Sequence, residues 1–153
     1  MKVLILNGAN LGQLGTREIN IYGHVSFEEY LERLKTLYPD VVFDCFQTDS
    51  ELELAGRIAA AKDYEGIILN AGAYTHTSVL LADAVRTTSC PVIEVHISNL
   101  FGREQYRRES VLSGCCIGFI AGFGLDSYRL AVEAMLKTKI QHVAKPINET
   151  SVC

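Results

Sequence analysis

Short unbroken apolar runs alternate along the chain with longer segments whose apolar residues recur every three or four positions. Residues 2–6, 41–46, 66–69, 91–95 and 115–121 form the short runs and read as strands. Between them, Phe27, Tyr30, Leu31, Leu34 and Leu37 share a helical face, with Ser26 and Glu29 placed as a capping box. Ser50 and Glu53 open a second helix with Leu54, Ile58 and Ala61 on its stripe; a third helix is expected over 78–88. A fourth, over 127–138, has Leu130, Ala131, Ala134 and Met135 facing inward. Strands that are apolar throughout belong in a parallel sheet covered by helices on both faces. The expected fold is therefore an α/β, doubly wound, flavodoxin-like single domain with a five-stranded parallel sheet. Residues 1–142 would form that one catalytic domain and 143–153 a loosely ordered tail.

In such sheets ligands bind beyond the carboxyl ends of the strands, beside the point where strand order reverses, here between strands one and three. Those ends carry Asn7, Gly8 and Asn10 on the first strand, Asn70 to Gly72 on the third, and Glu94 to Asn99 on the fourth. The segment after the first strand, residues 7–23, is far longer than the roughly two to six residues usual for such a connection. It is punctuated by glycines and reads as an active-site lid carrying Asn10, Arg17 and Tyr22.

Composition narrows the field. The 153 residues hold one core, and the formal charge of -4 leaves no basic footprint for nucleic acid. Neither a signal-peptide core nor a membrane span is visible, so the expected location is cytoplasmic. Five cysteines without metal or redox spacing read as buried reduced thiols, and the four scattered histidines have no ligand spacing, so no metal is expected. Strand ends in Asn7 and Asn70 disfavour a phospho-acceptor domain. The glycines match neither dinucleotide nor P-loop fingerprints, and no lysine ends a strand to form a Schiff base.

His96 directly follows a buried strand, where it is either a hydrogen-bonded structural histidine or a general acid. Strand period two places Glu94 on its side, where a carboxylate would hold the ring's tautomer. Tyr22 either packs or acts as a base; with a phenol pKa near 10 it would need a neighbouring cation such as Arg17 to ionise at neutral pH. His76 either binds ligand or joins a helix cap. Arg103, Arg107 and Arg108 form a solvated charged face or reach an anionic substrate, and Asp83 reads as an exposed helical charge.

Three segments together carry a more specific signal: Asn-Gly-x-Asn-Leu-x-x-Leu-Gly-x-Arg-Glu-x-x-x-Tyr-Gly over 7–23, Asn-Ala-Gly-x-x-Thr-His-Thr-Ser over 70–78, and Glu-Val-His-Ile-Ser-Asn over 94–99. With these the chain resembles type II 3-dehydroquinate dehydratase over nearly its whole length. The resemblance implies reversible dehydration of 3-dehydroquinate to 3-dehydroshikimate through an enolate, without metal, cofactor or covalent intermediate. It implies Tyr22 as proton acceptor, Arg17 as transition-state stabiliser, Asn10 as holder of a water at the enolate oxygen, and His96 as proton donor with Glu94 behind it. Substrate contacts would fall on Asn70, His76, Asp83, Ile97, Ser98 and Arg107. A homo-oligomer, a dodecamer of trimers, is implied as well, with Asp83 reaching a neighbour's site. The chain departs from the family's commoner pattern at Ala9 and Ile19, where proline is usual, at Phe101, Gly102 and Glu109, and at Ser127, where glycine is frequent. The competing reading is a non-catalytic flavodoxin-like module that binds a small polar acid; a flavin carrier is a third.

Overall fold

Five parallel strands form one sheet: β1 (Lys2–Asn7), β2 (Val42–Gln47), β3 (Gly66–Asn70), β4 (Val92–His96) and β5 (Gly118–Ala121), in the order β2-β1-β3-β4-β5. The computed structural model describes residues 1–9, 11 and 25–137; the rest of the expected lid, including Asn10, Arg17 and Tyr22, and the expected tail lie outside them. Four α-helices flank the sheet: α1 (Phe27–Leu37), α2 (Glu51–Ala60), α3 (Val79–Thr87) and α4 (Asp126–Lys137). This is the expected flavodoxin-like order.

Alternation along the strands divides the core in two. Val3, Ile5, Ile68, Ile93 and Val95 pack with Phe27, Leu34, Tyr128, Ala131, Val132 and Met135 of α1 and α4. Leu4, Leu6, Ile67, Leu69 and Val92 point to the other face, under Leu54, Ile58, Leu81 and Val85 of α2 and α3. Burying that apolar area, at roughly 25 cal/mol per Å², is the main favourable contribution to the fold. Helix starts follow the capping signals, since Ser26 Oγ accepts from Glu29 N and Ser50 Oγ from Glu53 N.

Several expectations are corrected. Only Phe43 of the edge strand β2 is buried, the other five residues being partly covered or exposed, because the strand has a neighbour on one side only. β5 begins at Gly118, three residues later than expected: its pairing with β4 starts at Ile93↔Gly118, and residues 113–115 are taken up in a 3-10 turn. Leu37 lies at the open end of α1 and is exposed, with Tyr38 packing in its place. On α4 the inward residues are Tyr128, Ala131, Val132 and Met135, while Ala134 faces outward. Among the described cysteines all four are free, with Cys90 buried, Cys115 and Cys116 partly covered, and Cys45 exposed on β2.

Two features shape the carboxyl edge of the sheet. Gly8 passes so close to β3 that a Cβ there would lie 2.4 Å from the Ala71 carbonyl oxygen, and Gly72 takes φ 61° with its own Cβ position 2.7 Å from the Ala9 carbonyl oxygen. Only glycine fits at either place. The connection from β4 to β5 contains no α-helix; it is built from 3-10 turns at Leu100–Gly102, Gln105–Arg107 and Ser113–Cys115.

Candidate active site

Glu94 is a carboxylate in the middle of a fully buried strand and has no exposed surface. A charge so placed is tolerated only when hydrogen-bonded on all sides. His96, two residues on and 5 % exposed, donates from Nε2 to Glu94 Oε1 at 2.7 Å. The Thr75 hydroxyl, from the 3-10 turn Gly72–His76 that follows β3, also donates to Oε1. Ser110 Oγ lies 2.9 Å from both carboxylate oxygens and itself accepts from the backbone N–H groups of Leu112 and Ser113. Those two N–H donors fix which way the Ser110 hydroxyl points.

The expected pairing of Glu94 with His96 is thus present. With Glu94 on Nε2, Nδ1 is the ring nitrogen turned away from the carboxylate. The Phe119 ring flanks the imidazole at 5.5 Å between centroids. Behind the pair lies Cys116, whose thiol is pushed well above its ordinary range by burial and by the Glu94 charge, so it stays neutral.

Asn70 and Asn7 occupy paired positions at the ends of β3 and β1 and are both buried. Their amides are oriented by a chain of bonds. Gly72 N, an unambiguous donor, reaches Asn70 Oδ1 at 3.3 Å; Asn70 Nδ2 donates to the Tyr128 hydroxyl at 2.9 Å; that hydroxyl donates to Asn7 Oδ1 at 2.7 Å. Burial drives the Tyr128 phenol far above its usual range, so it remains protonated as this chain requires.

His76 Nδ1 lies 2.6 Å from the Glu109 carbonyl, which fixes the proton on Nδ1 and leaves Nε2 as the other face of the ring. Ile97 is buried and Ser98 half-buried, immediately beyond His96. Arg103 Nη1 reaches Ser98 Oγ at 3.4 Å, while Arg107 pairs with Glu104 at 3.5 Å and lies against the Tyr106 ring. Asp83 stands on the outer face of α3, 62 % exposed and paired with Arg86, and no bond joins it to this cluster. Asn10, Arg17 and Tyr22 lie outside the described residues. Thr75, Ser110 and Tyr128 are additions that sequence reasoning missed. Thr75 had a signal, since it sits inside the 70–78 motif. Ser110 and Tyr128 had none, because their partners are 16 and 58 or more residues away.

Among the described residues, no group of three His, Cys, Asp or Glu side chains could hold a metal ion, and no helix is long and apolar enough to cross a membrane.

Fold and site together define a flavodoxin-like α/β protein with a carboxylate–imidazole couple at the carboxyl edge of its sheet. Fold alone would leave many activities open. A family model described as Dehydroquinase class II matches residues 1–136, and the chain belongs to this family, the type II dehydroquinases. It is 49 % identical over 138 residues to a 3-dehydroquinate dehydratase of Exiguobacterium, covering 90 % of this chain and 95 % of the relative. To the enzyme of the same name from Pelodictyon phaeoclathratiforme it is 45 % identical over 139 residues, covering 89 % and 92 %. The crystal structure of a type II dehydroquinase from Butyrivibrio crossotus superposes with a TM-score of 0.85 at 38 % identity, covering 89 % of this chain and 97 % of that one.

Proposed function

We propose that this protein is a hydro-lyase that dehydrates 3-dehydroquinate to 3-dehydroshikimate through an enolate, in the shikimate pathway or in quinate breakdown. The observation that carries the mechanism is the buried Glu94–His96 couple. A hydroxyl β to a ketone leaves as water only with an acid beside it. Glu94 holds Nε2, so the proton for the departing hydroxyl comes from Nδ1, on a ring held by a carboxylate that Thr75 and Ser110 hold in turn.

The first step removes a proton from the carbon next to the ketone. Tyr22 is the base, with Arg17 favouring its phenolate, and Asn10 positions a water at the enolate oxygen; this part rests on the 7–23 motif. Asn70 and His76 contact the substrate's hydroxyl groups, with their side chains preset by Tyr128 and the Glu109 carbonyl. The N–H groups of Ile97 and Ser98 take its carboxylate, and Arg107 adds a cation from the β4–β5 connection. Assembly as a dodecamer of trimers belongs to the same reading, in which the exposed Asp83 reaches into a neighbouring subunit's site. So does a cytoplasmic location.

The test is to mix purified protein with 3-dehydroquinate and follow ultraviolet absorbance, since dehydration beside the ketone creates a conjugated enone that the substrate lacks. A rising enone band that disappears with Tyr22→Phe, while calorimetric binding persists, is the expected result. Binding without any band would make the protein a non-catalytic module, and neither would remove the substrate assignment.

A further inference from the structure

We propose that Ser127 is a positioning residue for carboxylate recognition: with Gly122 and Gly124 it aims the Ile97 and Ser98 N–H groups by holding the carbonyls on the far side of the same peptides. The inference rests on the preceding reading that these two N–H groups take the substrate carboxylate.

It starts from how the sheet ends. Pairing of β4 with β3 stops at Leu69↔Glu94, whereas pairing with β5 continues to His96↔Ala121. Past Glu94 the third strand turns away into Gly72–His76, so that side of β4 no longer pairs with it. His96 directs its carbonyl toward β5, where it accepts from Gly122 N at 3.2 Å. Across the planar His96–Ile97 peptide, the N–H of Ile97 points the opposite way from that carbonyl, away from β5.

A trans peptide is planar, with its C=O and N–H antiparallel, and none of the described peptide bonds is cis. Whatever fixes the His96 carbonyl fixes the Ile97 N–H, and whatever fixes the Ile97 carbonyl fixes the Ser98 N–H. Three bonds do this. Ser127 Oγ donates to the His96 carbonyl at 3.0 Å, Gly122 N donates to the same oxygen, and Gly124 N donates to the Ile97 carbonyl at 3.0 Å. Gly122 and Gly124 lie in the turn between β5 and α4, and Ser127 in the first turn of α4. Gly122 (φ 95°) and Gly124 (φ 61°) are in the left-handed region, and a Cβ at 122 would lie 3.1 Å from that of Asn99. The turn needs glycines there to lie against β4 with its N–H groups inward.

Ser127 is fully buried, and among the described residues its hydroxyl is the only side-chain group bonded to either carbonyl. A buried hydroxyl seeks some acceptor in any case. This one has taken the carbonyl whose peptide points its N–H away from β5, to the side that β3 has left. An anion site made of backbone amides works only if the amides are held before the ligand arrives, because reorienting them on binding costs affinity.

The experiment compares wild type with Ser127→Ala, which removes one oxygen and leaves the Gly122 bond in place; Ser127→Gly serves as a second variant, and thermal melts confirm folding. Turnover of 3-dehydroquinate is measured alongside calorimetric binding of an analogue lacking only the carboxylate. The loss of one oriented hydrogen bond predicts that KM rises about threefold to tenfold in both variants, while kcat falls less than about twofold and affinity for the analogue stays at the wild-type value. An unmoved KM, or an equal loss of affinity for the analogue, overturns the proposal. Absence of both turnover and binding by wild type would instead remove the functional reading beneath it.

Discussion

Replacing Glu94 by Gln should reverse the tautomer of His96 and cost most of the turnover without unfolding the protein. The carboxylate receives three donors: Nε2–H of His96, the Thr75 hydroxyl and the Ser110 hydroxyl. An amide accepts at one end and donates at the other, so two of its atoms must face new partners. At the position of Oε2 the NH2 would meet only Ser110, whose oxygen already accepts from Leu112 N and Ser113 N, so its N–H groups would find no acceptor there. It therefore takes the position of Oε1, where its two N–H groups meet the Thr75 oxygen and His96 Nε2. Thr75 can rotate its hydroxyl to accept. His96 can accept only by moving its ring proton to Nδ1. Every buried group is then satisfied for a neutral ring, which is why the fold survives, but an imidazolium would lose its charge-assisted bond. Such a bond is worth about 1.5–3 kcal/mol, and with both partners buried solvent screening does not reduce it. At about 1.4 kcal/mol per factor of ten, kcat should fall roughly 10- to 150-fold. Enone absorbance gives the rate, and nitrogen NMR of histidine-labelled protein reports which ring nitrogen carries the proton. A kcat within threefold of wild type, with the proton still on Nε2, would refute the reasoning.

Two further outcomes concern stability. Tyr128→Phe keeps the ring packed 4.9 Å from Phe27 but strands Asn7 Oδ1 and Asn70 Nδ2 in the core, at a cost of about 2–4 kcal/mol; urea denaturation should show the midpoint falling with an unchanged slope, and an unmoved midpoint would mean that water replaces the hydroxyl. Asp126 is held below the ordinary carboxylate range by its paired bonds to Arg129, at 2.6 and 2.7 Å, so its contribution is present above an unfolded pKa near 3.9 and is lost as pH falls through the lower folded value. Because both side chains are a third to a half exposed, the difference between wild type and Asp126→Asn should be below about 1 kcal/mol at pH 7 and close by pH 2; a difference that persists in acid would assign it to packing.

The sheet was readable from the chain because buried parallel strands are apolar on both faces and leave short, sharply bounded runs. Order and class followed from alternation with helices. What the runs did not show was the thinner cover at the edges: β2 and β5 read in sequence like the fully buried strands, although the expected order already places them outermost. The Glu94–His96 couple was readable for a local reason, since period two in a strand places residues i and i+2 on one side. Its supports were not. Ser110 belongs to a connection without periodicity, and Tyr128 looks like one more apolar position on an amphipathic helix until the ends of β1 and β3 are brought beneath its hydroxyl.

The ionised side chain in the middle of β4 also bears on how the chain folds. Two of its three donors come from Thr75, 19 residues before it, and Ser110, 16 residues after it, while His96 lies on the same strand. Neither of those two is in place until the connections on both sides of the fourth strand have docked. A half-assembled sheet that buried β4 early would leave the carboxylate with His96 alone, and the penalty for its unmet oxygens would return it toward the unfolded ensemble. The same group that orients the imidazole thus penalises partly folded forms and sharpens the transition to one complete native state.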